Sequence, residues 1–194
     1  MEIGATKAVQ DRLKTTKIEE SKGASLVFCW DTHLTKIKGR NVLFIVNASN
    51  RYTIAMTDIE PRNWNYYAMY IIRVIHGMMQ EMGYSEEQIE QYFKMSGDTT
   101  ITKTHGRKSV GGINRMVMDA QYFGKKLEKE AKYQWELSEY LNRDICQPEG
   151  FDAYGYPNEL FKLDMERLGI ATKRKPAKVI DFAQYIENNR GTIH

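Results

Sequence analysis

Residues 41–57, NVLFIVNASNRYTIAMT, decide the fold class of this chain. The stretch contains two runs, 41–47 and 51–57, rich in Val, Ile, Phe, Tyr and Thr, which favour β-strands. Only three residues separate the runs, and a connection of this length is typical of an antiparallel hairpin. A third run of the same kind, 25–30, comes before them and is joined to them by residues 31–40, in which 36–40 are predicted to form an exposed basic turn. The segment therefore predicts a small antiparallel sheet.

After the hairpin, apolar residues recur every three or four positions, which is the period of an amphipathic helix. A long core helix is predicted after Pro61, with Gly83 as its stop. Ser85 and Gln88 have the form of a capping box and predict a second helix, ending near Lys94. The apolar positions of the long helix are Trp64, Tyr67, Ala68, Ile71, Ile75, Met78 and Met82.

The later segments are predicted to be mostly helical. A short strand over 99–104 is followed by a helical pattern over 109–141, with a break or kink at Gly124. Pro157 occupies a first-turn position and begins a helix that ends at Gly169. These elements together predict an α+β fold, in which a small antiparallel β-sheet is packed against several α-helices, with a helical C-terminal part.

The chain is predicted to form a single α+β domain over residues 1–170, followed by a basic linker and a short docking helix over 171–194. The linker contains Lys173, Arg174 and Lys175 directly before Pro176. Beyond the linker, a stripe of apolar residues at helical spacing predicts a helix too short to be stable alone. We expect this helix to dock onto protein, its own domain being favoured over a second copy.

Composition excludes several classes of protein. The chain has 194 residues, a net charge of +3 and 42% hydrophobic residues, which excludes collagen-like and wholly disordered sequences. Two cysteines are too few for a disulfide scaffold or a four-cysteine zinc site, so a cytoplasmic location is predicted. No apolar run approaches the roughly 20 residues that span a bilayer, so no membrane association is expected.

The order of segments resembles a bacterial domain family whose function is unassigned. The similarity lies in the start of the chain, in the strand ending at Trp30, in the run 40–47, and above all in residues 103–114, KTHGRKSVGGIN. The family carries a similar Lys-Thr-x-x-Arg-Ser-Val-x-Gly-x-x-Asn signature, from which this chain departs at Lys108. The resemblance covers roughly residues 1–125. It implies a compact domain typical of bacterial chromosomes and mobile elements, and it supplies no chemistry.

Residues 103–114 are the best candidate for a ligand site. Basic side chains, hydroxyls and a pair of glycines precede a predicted helix, whose free N–H groups can bind a phosphate. The alternative is a surface loop in which Ser109 caps the helix. The residues predicted to bind a ligand or phosphate are Lys103, Thr104, Arg107, Lys108, Ser109 and Asn114.

No catalytic motif, metal site or cofactor is predicted. The four histidines have no metal-ligand spacing, and only Asp31 and His33 are close enough in sequence to share one face of a strand. His76 is expected to be partly buried and hydrogen-bonded. Cys29 is expected to be a buried small apolar residue, because a catalytic thiolate needs exposure and an activating base.

These features favour a non-enzymatic bacterial domain that binds a macromolecular partner, above all a protein. Twelve tyrosines and ten methionines suit a contact surface, and a second copy of the chain is one alternative partner. A link to mobile elements or to defence and counter-defence is part of this hypothesis. The rival hypothesis is a nucleic-acid- or nucleotide-binding protein, or a phosphodiester-acting enzyme, that uses residues 103–114. An acid beside Arg107 and Ser109 in a concave pocket would favour the enzyme.

Overall fold

The computed structural model describes residues 1–13 and 17–172. Its centre is a five-stranded sheet in the order β4-β3-β2-β1-β5. The strands are β1 (Glu2–Ala5), β2 (Cys29–Ile37), β3 (Arg40–Asn47), β4 (Thr53–Thr57) and β5 (Thr100–Thr102). Strands β2, β3 and β4 are antiparallel, whereas β1 is parallel to both β2 and β5. The sheet is therefore mixed, and the α+β class is confirmed.

Helices cover both faces of the sheet. They are α1 (Lys7–Gln10), α2 (Pro61–Asn65), α3 (Tyr67–Glu81), α4 (Glu86–Ser96), α5 (Gly106–Gln121), α6 (Trp135–Asn142) and α7 (Pro157–Arg167). Because strand residues alternate between faces, β2, β3 and β4 each contribute to two separate cores.

The larger core lies between the sheet and helices α3, α4 and α7. Trp30 of β2 and Ile45 of β3 are fully buried there, and Ile71, Ile75 and Met79 of α3 pack against them. The smaller core lies on the opposite face and is completed by α5 and α6. Its members are Ile37, Val42, Phe44, Val46, Ala55, Ile113, Met116, Ala120, Phe123, Leu127, Leu137 and Leu141.

Two features of the strands differ from the sequence prediction. The run 25–30 contains one 3-10 turn, Leu26–Phe28, and β2 begins only at Cys29 and continues to Ile37. Residues 31–37, predicted as part of a connection, therefore form strand. Of the predicted turn 36–40, only Lys38 and Gly39, both with positive φ, form the turn. Strand β1 was not predicted, because it has only four residues and includes a glycine.

The helix predictions are confirmed in part. The capping box is present, with the Gln88 N–H donating to Ser85 Oγ and the Ser85 N–H donating to Gln88 Oε1. Helix α5 begins at Gly106, so Ser109 lies in its first turn and is not the cap. Residues 122–134 form no regular helix, and the pattern predicted to continue past Gly124 resumes only in α6.

The predicted linker and docking helix lie, from residue 173 onward, outside the described residues. Up to that point, α7 is followed by Gly169, whose positive φ ends the helix as predicted. Within the described ranges, no helix has the length and apolar character needed to cross a membrane.

Candidate functional site

The segment 103–114 is divided by the fold. Lys103 forms an ion pair with Glu20 at the surface, and Arg107 and Asn114 are exposed on α5. Thr104 is half-buried. Only Lys108 and Ser109 of the predicted residues line a concavity. The six predicted residues therefore do not meet in one concavity. His105, in the same segment, is buried among polar side chains.

His105 lies in a buried chain of polar side chains beneath the start of α5. Its Nε2 is 3.0 Å from Glu2 Oε2 and its Nδ1 is 2.7 Å from Asp31 Oδ1. The side chains of His105 and Glu2 are each 4% exposed, and that of Asp31 is 0% exposed. Two serines extend this row of hydrogen-bonded side chains: Ser21 Oγ donates to Glu2 at 2.6 Å, and Ser109 Oγ donates to Asp31. We call Glu2, His105 and Asp31 the buried triad.

The strand register brings the buried triad together. Glu2 pairs with Cys29 and Gly4 pairs with Asp31, so these four residues lie on the same face of the sheet. The Asp31 side chain lies so close to the backbone of Gly4 that only glycine fits there, because a Cβ at this position would be 1.8 Å from Asp31 Oδ1. The backbone N–H of His105 also points at the Asp31 carboxylate, at 3.2 and 3.3 Å, which anchors the start of α5 to the sheet.

Asp31 and Cys29 oppose the effect of burial on the protonation of His105. Burial alone would lower the pKa of His105, but hydrogen bonds to Asp31 and Cys29 and the nearby negative charge outweigh burial and raise it to about 10. Burial would likewise raise the pKa of Glu2, yet hydrogen bonds from Ser21, the Lys22 N–H and His105 lower it. At neutral pH, the proton therefore lies on the imidazole and both of its N–H groups donate.

A hollow of about 250 Å³ lies next to the triad, between α5 and the loop after β3. Its lining includes three positively charged side chains, those of Arg51, Lys108 and Arg115, and one negatively charged side chain, that of Glu149. Ser109, whose hydroxyl donates to Asp31, also lines it and connects it to the triad. We call this feature the basic hollow.

Existing contacts hold the cations of the basic hollow. Arg51 has a positive φ of 62°, and its Nη2 donates to the Gly112 carbonyl at 2.9 Å. Lys108 Nζ donates to the Pro148 carbonyl at 3.3 Å, and Arg115 Nε donates to Asp119 at 3.1 Å. Because Arg51 and Lys108 are paired with neutral carbonyls, their charges are not neutralised by those contacts.

A second concave surface lies on helices α2 and α3 and has a volume of about 430 Å³. Tyr66 is 72% exposed and Met69 is 51% exposed, which is unusual for large apolar side chains. Arg62 and Arg73 border these residues, and both are exposed. The Tyr70 hydroxyl, also at this surface, is buried and has no hydrogen-bond partner among the described residues. We call these five residues the tyrosine–arginine surface.

The sequence pattern predicted a site in residues 103–114 and did not indicate the buried triad. Neither Glu2 nor His105 was a candidate, because Glu2 lies at the start of an unpredicted strand and 103 positions separate the two. Asp31 was considered with His33, but His33 Nδ1 instead contacts Thr6 Oγ1 at 3.2 Å. The sequence feature that indicates the triad is Gly4 in an otherwise β-like start, since a glycine within a strand often marks a place where another group approaches the backbone closely.

Two minor predictions are confirmed. Cys29 is fully buried, as expected, and lies in β2. His76 is partly exposed and its Nε2 is 3.1 Å from Glu86 Oε2, as expected for a hydrogen-bonded histidine at the edge of a helix.

Comparison with known proteins gives one match. Neither a curated protein nor a solved structure matches the chain. A family model described as "Domain of unknown function (DUF6933)" matches residues 2–160. This match agrees with the resemblance to a family of unassigned function and extends it from about residue 125 to residue 160. It includes the whole buried triad and both concave surfaces. The chain therefore belongs to the DUF6933 family of domains of unknown function.

Proposed function

We propose that this domain works by binding a protein partner through the tyrosine–arginine surface. The observation that carries the proposal is the exposure of Tyr66 and Met69 beside two arginines in a 430 Å³ concavity. Tyrosine, methionine and arginine are the residue types enriched in protein interfaces, and buried tyrosines and arginines dominate binding free energies.

Charge indicates the chemistry of the partner. Arg62 already pairs with Glu60 at 2.7 Å, whereas Arg73 has no carboxylate among its described contacts. An acidic side chain on the partner would pair with Arg73, and an apolar residue beside it would cover Tyr66 and Met69. We therefore propose a partner segment that combines acidic and apolar residues.

The double variant Tyr66→Ala and Arg73→Glu should bind the partner much more weakly while keeping its fold. Both side chains are exposed, so the melting temperature should change little, whereas loss of two contact residues should weaken binding at least about 30-fold. Wild type and variant would be used as baits in the native host, and proteins bound to each would be quantified by mass spectrometry. The control is Tyr154→Ala, which removes a tyrosine that is 69% exposed elsewhere. A protein retained by all three baits would not use this surface.

The basic hollow favours a second candidate function, the binding of a phosphate-bearing ligand such as a nucleotide or nucleic acid. Arg115 is paired with Asp119, but Arg51 and Lys108 are paired with neutral carbonyls and outnumber Glu149, the carboxylate that lines the hollow. Ser109 and the backbone near Gly111 and Gly112 also line it. The enzyme hypothesis asks for an acid beside both Ser109 and Arg107 in a concave pocket. Asp31 lies within hydrogen-bond distance of Ser109, but Arg107 is exposed and does not line the hollow. The geometry thus supports binding better than catalysis.

Replacing Lys108 and Arg115 with Ala should lower the affinity for a phosphate-bearing ligand about tenfold or more, because two positive charges are removed from the basic hollow. The matched control replaces Lys103 and Arg107, two basic residues of the same segment that do not line the hollow. Affinity for a fluorescent oligonucleotide and for a nucleotide would be measured at low and high salt. The difference between variant and wild type should shrink as salt rises. Equal losses in both double variants would contradict a localised site.

A further inference from the structure

Three different metal-ligating side chains meet on the sheet face beneath α5. The carboxylate of Glu2, the thiol of Cys29 and the imidazole of His105 place one ligand atom each within 4.8 Å of the others. Glu2 and Cys29 are register partners on β1 and β2, and His105 directly precedes α5. All three residues are buried: Glu2 is 3% exposed, Cys29 is 0% exposed and His105 is 9% exposed.

The groups around His105 and Glu2 hold these two donors as metal ligands are held in known sites. In such sites, a histidine commonly donates its second ring N–H to a carboxylate, which fixes the ring and leaves the other nitrogen for the metal. Asp31 Oδ1 is 2.7 Å from His105 Nδ1, and His105 Nε2 faces Glu2. Glu2 is itself oriented by Ser21 Oγ at 2.6 Å and by the Lys22 N–H at 2.8 Å.

An unpaired polar group lies on the same side of the sheet. Thr102 is fully buried, and its hydroxyl has no hydrogen-bond partner among the described residues. Thr102 pairs with Gly4 in the sheet, and its neighbour Ile101 packs with the opposite core. Because strand residues alternate, the Thr102 side chain lies on the face that carries Glu2 and Cys29. A buried hydroxyl without a partner is costly unless another group satisfies it.

We propose that Glu2, Cys29 and His105 bind one divalent transition-metal ion, with Zn²⁺ as the ion that this donor set fits best. Zinc takes thiolate, imidazole and carboxylate ligands together, whereas Mg²⁺ and Ca²⁺ prefer oxygen ligands alone. Tetrahedral zinc ligands lie about 3.5 Å apart, so donor atoms that are now up to 4.8 Å apart would move closer together on binding. Coordination requires a thiolate and a free Nε2, so the thiol proton and the Nε2 proton pass to solvent on binding.

Cobalt binding tests the proposal on the full-length chain. Metal-free protein would be titrated with Co²⁺, which gives a thiolate-to-cobalt charge-transfer absorption when a cysteine is a ligand, and then with Zn²⁺. We expect one Co²⁺ per chain and loss of the absorption on addition of Zn²⁺. Cys29→Ser should abolish the absorption and weaken Zn²⁺ binding at least tenfold. Cys146→Ser is the matched control, because Cys146 is the other buried free cysteine and is not one of the three donors.

A second measurement protects the test against a variant that does not fold. Wild-type protein should melt at a higher temperature with one equivalent of Zn²⁺, because the metal binds the folded state, and a chelator should reverse the increase. Absence of cobalt binding by wild type, or a charge-transfer absorption that depends on Cys146 and not on Cys29, would overturn the proposal. So would an unchanged melting temperature with Zn²⁺.

Discussion

Replacing Ile71 with Asp is expected to unfold the domain or make it aggregate. Ile71 is fully buried in the larger core, where Ile75 and Met78 of the same helix also lie. A carboxylate at this position would have no room for water and no basic partner, which should cost at least about 4 kcal/mol of the free energy of unfolding. Such a loss is a large share of the stability of an ordinary domain. Circular dichroism and the yield of soluble protein would measure the effect.

The matched control is Met69→Asp on the same helix. Met69 is 51% exposed, so the new charge remains in water and lies in the first turn of α3, where a negative charge is favourable. We expect this variant to melt close to wild type. If the two variants behave alike, the buried face of α3 has been assigned wrongly.

The success of the helix prediction and the failure at the first strand have the same physical origin. The core helix could be predicted because its apolar residues are neighbours in sequence, and the helical period alone brings Ile71 and Ile75 to one face. The hairpin of β3 and β4 could be predicted for the same reason, since a short loop closes it.

Strand β1 and the buried triad depend on contacts distant in sequence. β1 is stabilised by strands that begin 27 and 98 residues after it, at Cys29 and Thr100. In β2, polar residues such as Asp31 and Thr32 are fully buried, so the sequence lacks the apolar alternation by which a strand is recognised. Local pattern cannot show that Asp31 is buried beside a histidine 74 positions away.

The tyrosine–arginine surface illustrates the opposite difficulty. Tyr66 and Tyr67 are adjacent in sequence and chemically identical, yet one is 72% exposed and the other 2% exposed. Composition indicated a contact surface, but only the fold shows which tyrosines remain available for a partner. The same holds for Lys103 and Lys108, one of which pairs with a surface carboxylate while the other lines the basic hollow.

Gly4→Ala is expected to destabilise the domain strongly. The added Cβ would lie 1.8 Å from Asp31 Oδ1 and 3.1 Å from His105 Nδ1, so the Asp31 side chain must move. Its movement breaks the contacts of Asp31 with both His105 and Ser109, leaving charged groups unpaired in the interior. Strain and lost pairing together should cost about 3 kcal/mol or more, measured by urea unfolding. Gly77→Ala in α3 is the control, because its Cβ meets no other atom within 4 Å, and it should stabilise by about 0.5–1 kcal/mol.

A double-mutant cycle identifies Asp31 as the cause. Asp31→Ala alone should destabilise strongly, because it leaves the His105 imidazole with one carboxylate partner instead of two. In that background, however, Gly4→Ala no longer meets the carboxylate at 1.8 Å, so its additional cost should fall to a small fraction of its cost in wild type. Additive effects of the two substitutions would mean that Gly4 is required by something other than the approach of Asp31. Strong non-additivity would establish that the glycine in β1 exists to admit the carboxylate, and that the buried triad, rather than the strand itself, determines the residue at position 4.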